Sequence, residues 1–297
     1  MREKIYIIHV VSGASTIIGI YSLLVGRLTC KLTGFSIYGA EDIPLSKPHR
    51  IILYFFACMI SKKIGANSKA TARLLPRKFM SKINILYGGV DISYINKLKS
   101  YKVEKNGNKF LFVGRLVKRK GLEDLVKAFS IIVKEKPDAK LVIVGDGSEK
   151  PMLMRLVEEF DIEKSVEFTG TLVGIELYKK YKECDIFVMS SKKTTDTATE
   201  GLGMVFIEAG LFSMPSIGTY HGGIPEVVIG GKTGLLVKEG DVDDLAYSMR
   251  LLLNDKKFAQ RLGQNAYDLI QSKFTWRKTT LRFLRMHLNT EENVNIE

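Results

Sequence analysis

The chain has 297 residues, 45% of them hydrophobic and 26% charged, with a mean hydropathy of +0.03. That is enough for two domains, and it excludes a small metal- or disulfide-stapled module and intrinsic disorder outside the polar tail after Asn289. The net charge of +13 sits at the front, where residues 1–108 hold 17 Lys and Arg against 5 Asp and Glu.

Such a basic front end is either a solvated face or a surface that meets anions, lipid headgroups or nucleic acid. It lacks the regular aromatic interleaving of a base-stacking surface, which argues against nucleic acid. The three cysteines, Cys30, Cys58 and Cys184, are far apart and set among apolar neighbours. They read as reduced core thiols of a cytoplasmic protein, with neither disulfide nor zinc site.

Residues 5–26 carry no charge, a stretch long enough to span a bilayer or act as a signal. Ser12-Gly13-Ala14-Ser15-Thr16 divides it into a β-rich piece, 5–11, and a helical piece, 16–28, capped by Ser15 or Thr16. A buried strand, turn and helix are therefore expected. The next apolar run, 51–60, is too short to span and reads as a core helix. Fainter strands are expected at 29–33, 63–66 and 83–86.

Residues 100–109 are polar and mark a boundary. Beyond them, β-branched runs at 110–113, 141–144, 166–168, 186–189, 216–218 and 235–237 alternate with helical stretches. In 121–134, Leu122, Leu125, Val126, Phe129, Ile132 and Val133 fall on one helical face. The alternation predicts an α/β fold of two Rossmann-like parallel-sheet domains, the first short: 1–105, then 106–275, then a helix and polar tail at 276–297.

Three pieces carry chemistry. Gly114-Arg115 through Lys120-Gly121 gathers cations beyond a strand's carboxyl end, beside a helix amino terminus; Arg115 forks onto two phosphate oxygens and Lys120 adds a point charge. Glu200-Gly201-Leu202-Gly203-Met204 leads into an apolar helix holding Glu208; the glycines admit a ligand near the backbone, and the carboxylates accept from paired hydroxyls. His221-Gly222-Gly223-Ile224-Pro225-Glu226 follows another strand. Singly, each also fits a solvated loop, a chance carboxylate pair or a generic turn. Together, at carboxyl ends of strands in one sheet, they mark a ligand site. Residues 192–199 form either a mobile lid or a solvated loop.

With these motifs in this order, and with Gly145-Asp146-Gly147, Thr169-Gly170 and Phe274-Thr275-Trp276, residues 109–285 closely resemble glycosyltransferase family 4, retaining enzymes of the GT-B fold that use nucleotide-sugar donors. The resemblance implies that Arg115 and Lys120 hold the donor diphosphate, Glu200 the transferred sugar and Glu208 the ribose diol. It also implies that Gly222 and Gly223 lie near the sugar and that the base stacks near Thr169-Gly170. Gly114, Gly201, Leu202, Gly203 and Met204 complete the expected donor site, and Glu200, Arg115 and Lys120 the catalytic set. No metal or other cofactor is expected, because fixed cations and a helix terminus meet the leaving group's charge.

The front matches more loosely, through Ile7-Ile8-His9-Val10, Ala66-Asn67-Ser68 and Gly88-Gly89-Val90-Asp91. Where the family often has a His after a strand, this chain has Leu32-Thr33-Gly34, and His9 is either a packed or a functional residue. Family members carry further strands before residue 5. The chain is thus read as a fragment, an internally started gene or half of a split enzyme, with a second chain as the partner that would complete the first domain.

The expected function is transfer of a hexose from a UDP-, GDP- or ADP-sugar to a lipid-linked or polysaccharide acceptor at the cytoplasmic membrane face, peripheral to an anionic surface. The alternative is a non-catalytic nucleotide-sugar-binding remnant or subunit.

Overall fold

The computed structural model describes residues 7–11, 17–29, 32–38, 48–98, 100–103, 107–194 and 199–288. Two compact units emerge: the first comprises residues 1–89, 196–202 and 276–297, the second residues 90–195 and 203–275.

The first unit runs β1 (Ile7–Val11), α1 (Ile17–Thr29), β2 (Leu32–Ile37), α2 (Pro48–Ile60), β3 (Lys63–Ala66), α3 (Lys69–Ala72) and β4 (Ile83–Ile85). The strands form a parallel sheet in sequential order, β1-β2-β3-β4. Leu23, Phe35, Ile37, Ala57, Cys58, Ile64 and Ala66 are its buried core. Lys82 closes the carboxyl end of α2: its ammonium donates to the carbonyls of Cys58, Met59 and Ser61 at 3.0, 3.0 and 2.8 Å.

Three sequence expectations are corrected here. The strand expected at 29–33 lies at Leu32–Ile37, because α1 continues to Thr29. Thr33 is therefore buried inside β2, and the position just past the strand's carboxyl end belongs to Tyr38, whose carbonyl accepts from the Asn67 side chain. The run 51–60 is not a wholly buried helix: α2 buries Tyr54, Ala57 and Cys58 but leaves Ile52 and Met59 exposed. No helix among the described residues is long and apolar enough to cross a membrane. The expected cap at Ser15 or Thr16, the thiol of Cys30 and the polar tail lie outside the described residues.

The last helix, α11 (Trp276–Leu288), belongs to the first unit and meets β1 through a histidine pair. His9 Nε2 lies 2.7 Å from Ser36 Oγ, and its Nδ1 lies 3.0 Å from Nε2 of the buried His287. Burial, and then the neighbouring His287, push His9 down to about 4. The folded ring thus stays neutral at a pH where the unfolded ring, near 6.5, takes a proton. Stability is accordingly full above pH 6.5 and lost as pH falls toward 4, by about 3 kcal/mol. Urea midpoints at pH 7, 5.5 and 4.5 should fall more steeply for the wild type than for His9→Gln; parallel slopes would show that the pair does not set the acid sensitivity.

The second unit runs α4 (Ser93–Lys97), β5 (Lys109–Val113), α5 (Leu122–Glu135), β6 (Lys140–Val144), α6 (Lys150–Glu159), β7 (Val166–Gly170), α7 (Gly174–Glu183), β8 (Ile186–Val188), α8 (Met204–Leu211), β9 (Ser216–Thr219), β10 (Gly234–Val237), α9 (Val242–Asn254) and α10 (Lys256–Lys273). Its six parallel strands are ordered β10-β9-β8-β5-β6-β7. Helices cover both faces, so the central strands are apolar at nearly every position, as Phe110, Leu111, Phe112 and Val113 illustrate.

Asp241 and Asp255 cap α9 and α10 by accepting from backbone N–H groups at 2.9 Å. Residues 90–101 side with this unit: Val90 N donates to Phe274 O, Tyr101 to Glu183 and Lys182 to Leu98 O.

Candidate functional site

Because the sheet of the second unit is wholly parallel, every strand ends on one edge, and the order in which strands are added reverses at the β5–β8 pair, with β6 and β7 on one side and β8, β9 and β10 on the other. Such a reversal opens a crevice at the carboxyl ends of the two strands. The loops after β5, β6, β7, β8 and β9 meet that edge.

After β5, Gly114 N donates to Val144 O at 3.0 Å, and Leu116 N to Asp146 O at 2.9 Å. Gly145 N donates to Gly170 O at 2.8 Å, so the turns of Gly114, Gly145 and Thr169-Gly170 are sewn together. The Thr169 hydroxyl donates to Gly170 O at 2.9 Å, and the space above Gly170 is open.

Residues Lys118–Lys120 form a single 3-10 turn. Lys118 on this turn and Arg115 before it are exposed, whereas Lys120 is 8% exposed, its ammonium 3.7 Å from Met189 Sδ. Gly121, at φ +69°, turns the chain into α5 so close to β8 that Ser190 Oγ donates to its carbonyl at 2.8 Å. Lys192 extends the same seam. Its N–H donates to Arg119 O at 2.9 Å, and its ammonium spans both oxygens of the buried Asp124 at 3.0 and 2.8 Å.

Gly203, at φ +75°, opens α8, with Met204 as the first helical residue and Glu208 one turn in. Glu208 is half-buried. Its Oε2 accepts from the Tyr181 hydroxyl at 2.7 Å, and burial raises its pKa while that hydrogen bond opposes the rise.

Beyond β9, buried His221 places Nδ1 2.8 Å from Glu239 Oε1, and Glu239 Oε2 accepts from Lys193 N at 2.6 Å. Burial works against the Glu239 carboxylate, yet the Lys193 N–H and His221 hold its pKa below the ordinary value. Glu239 thereby ties the loop after β8 to the turn of Gly222 and Gly223, Gly222 standing at φ +54°.

Gly114, Arg115, Lys120, Thr169, Gly170, Gly203, Met204, Glu208, Gly222 and Gly223 all belong to the second unit, whereas Glu200, Gly201 and Leu202 group with the first. Residues Thr195 to Ala198 of the expected lid lie outside the described residues. Among the described residues no group of three or more His, Cys, Asp and Glu could hold a metal ion. Sequence reasoning missed Tyr181 and Glu239. Tyr181 sits in a Lys-Lys-Tyr-Lys stretch and Glu239 in a polar Lys-Glu-Gly turn, with nothing local to mark either.

In chemical terms the edge offers cations, one of them nearly buried, beside helix amino termini, with a carboxylate one helical turn away. That set suits a ligand with phosphates at one end and hydroxyls at the other.

The family model for glycosyl transferases group 1 matches residues 94–269. The chain is 32% identical over 185 residues to N-acetyl-alpha-D-glucosaminyl L-malate synthase of Bacillus anthracis, an alignment covering 62% of this chain and 46% of that protein. It is 34% identical over 163 residues to the GDP-mannose-dependent monoacylated alpha-(1-6)-phosphatidylinositol monomannoside mannosyltransferase of Corynebacterium glutamicum, covering 54% and 42%. It thus spans less than half the length of these relatives.

Among solved structures, Anabaena HepE in complex with UDP superposes with a TM-score of 0.74 at 20% identity, covering 93% of this chain and 77% of that one. Sucrose-phosphate synthase of Thermosynechococcus elongatus does so at 0.74 and 22%, covering 94% and 72%. These likenesses assign the fold, two parallel-sheet α/β units of the GT-B kind.

Proposed function

The chain belongs to the group 1 glycosyl transferases, and from that premise we propose that it is a retaining hexosyltransferase that moves a sugar from a nucleotide sugar to a lipid-linked or polysaccharide acceptor. The observation that carries this reading is Lys120, a nearly buried ammonium at the crevice between β5 and β8. A diphosphate gains more from an ammonium held away from bulk water than from one exposed to solvent.

The acceptor hydroxyl forms its bond to the anomeric carbon on the face from which the diphosphate leaves, and its proton passes to the departing phosphate oxygen. Arg115 and Lys120 meet the growing charge, Glu200 holds hydroxyls of the sugar, and Glu208 the ribose diol. No cofactor enters this scheme. UDP in the HepE structure and GDP-mannose in the relative's name support a nucleotide sugar as donor.

The site of action proposed is the cytoplasmic face of a membrane. In the first unit α1 and α2 pack together and leave Ile18, Tyr21, Leu28, Ile52 and Met59 exposed near the basic Arg27 and Lys62. Such a surface suits anionic lipid.

Incubation with UDP-, GDP- and ADP-sugars should show slow hydrolysis of one donor, lost in Glu200→Ala and unchanged by EDTA. If no donor is cleaved while a nucleoside diphosphate still raises Tm, the chain is a nucleotide-sugar-binding subunit, not a transferase.

A further inference from the structure

Tyr181 is the largest fully buried side chain among the described residues, yet it carries a polar tip. Its ring is held from several sides: stacked on Phe212 at 5.9 Å and 2°, tilted against Phe187 at 6.1 Å and against Tyr178 at 6.2 Å. A purely apolar niche of this kind would suit phenylalanine. The hydroxyl instead reaches 2.7 Å from Glu208 Oε2, with Val205 O at a marginal 3.4 Å.

A buried phenol needs an acceptor and a half-buried carboxylate needs a donor, so each satisfies the other. The bond also has a direction. It occupies one oxygen of Glu208 and fixes the plane of the carboxylate, and Oε1 is left to accept from something else. Burial alone drives Glu208 toward its protonated form, and the hydroxyl counters that drift. A protonated or freely rotating carboxyl accepts poorly from two adjacent hydroxyls.

We propose that Tyr181 is a positioning residue for the donor: by donating to Oε2 of Glu208 it orients and preserves the carboxylate that receives the ribose diol of a nucleoside diphosphate. The proposal rests on the reading of Glu208 given above, and it adds a residue on α7 that itself touches no ligand.

A ribose-specific readout separates this role from simple packing. Calorimetric titration of the full chain with UDP and 2′-deoxy-UDP, or with GDP and 2′-deoxy-GDP if guanine is the base bound, gives the preference for ribose in each variant. The wild type should favour the ribonucleotide about 10-fold or more, the discrimination that a hydroxyl-binding carboxylate supports.

Tyr181→Phe should keep the ring packing and the affinity for the deoxynucleotide while losing most of that preference. Glu208→Gln should lose it as well, and the double variant should be no worse than Glu208→Gln alone. Equal weakening of both nucleotides in Tyr181→Phe, or an unchanged preference there while Glu208→Gln loses it, would overturn the role of Tyr181 and leave that of Glu208 standing. A preference that survives Glu208→Gln, or the absence of binding by every nucleotide, would overturn both.

Discussion

Lys120→Met is expected to lower donor cleavage by about 10²–10³-fold while leaving the fold intact. The ammonium is 8% exposed and lies 3.7 Å from the thioether of Met189, so it is held away from bulk water. A methionine of similar length removes the charge and keeps the packing.

With a diphosphate beside it the attraction is strong: opposite charges about 4 Å apart at an effective dielectric of about 20 attract by about 4 kcal/mol per charge pair. Arg115 is exposed in the same loop after β5, and solvent screening should hold Arg115→Ala to about 10-fold. Hydrolysis rates, thermal melts and UDP affinity at two salt concentrations check this. Wild-type cleavage by Lys120→Met would place the diphosphate elsewhere.

The second unit was largely legible because its strands are covered on both faces and so read as unbroken apolar runs, as at Phe110 to Val113. The face of α5 also repeats at helical spacing without interruption. The first unit was harder. β2 is Leu-Thr-Gly-Phe-Ser-Ile, half of it small or polar, and its buried Ser36 is intelligible only once His9 is seen 2.7 Å away. Composition also says nothing of which side of α2 finds a partner, so a run of ten apolar residues looked uniformly internal.

For the candidate site, glycines and cations at strand ends are local signals and sequence exposes them. What holds them is not local. Glu239 reaches His221 across 18 residues and Lys193 across 46, and Tyr181 reaches Glu208 across 27. A family resemblance points to the ligand-facing residues and passes over these supports, because each is an ordinary residue made significant only by the fold.

The structural counterpart of Lys120 is the glycine that follows it, and Gly121→Ala should destabilise the second unit by about 3 kcal/mol or more. Two costs combine. At φ +69° any side chain is strained, by about 1–2 kcal/mol. An added Cβ would also stand 1.9 Å from the carbonyl oxygen of Ser190, a backbone atom held in place because Ser190 follows the central strand β8. Relief requires β8 and the 118–120 turn to separate, which breaks the hydrogen bond from Ser190 Oγ to Gly121 O and withdraws Lys120 from Met189.

Gly240→Ala isolates the first cost. Gly240 stands at φ +75° with nothing within 4 Å of an added Cβ, so its variant should lose only about 1 kcal/mol. In thermal melts, where 1 kcal/mol shifts a unit of this size by about 2–4 °C, Gly121→Ala should fall by about 6–12 °C and Gly240→Ala by about 2–4 °C. UDP affinity should drop sharply in the first variant and hold in the second. Equal shifts would mean that β8 does not press against the turn, and the buried position of Lys120 would lose its structural basis.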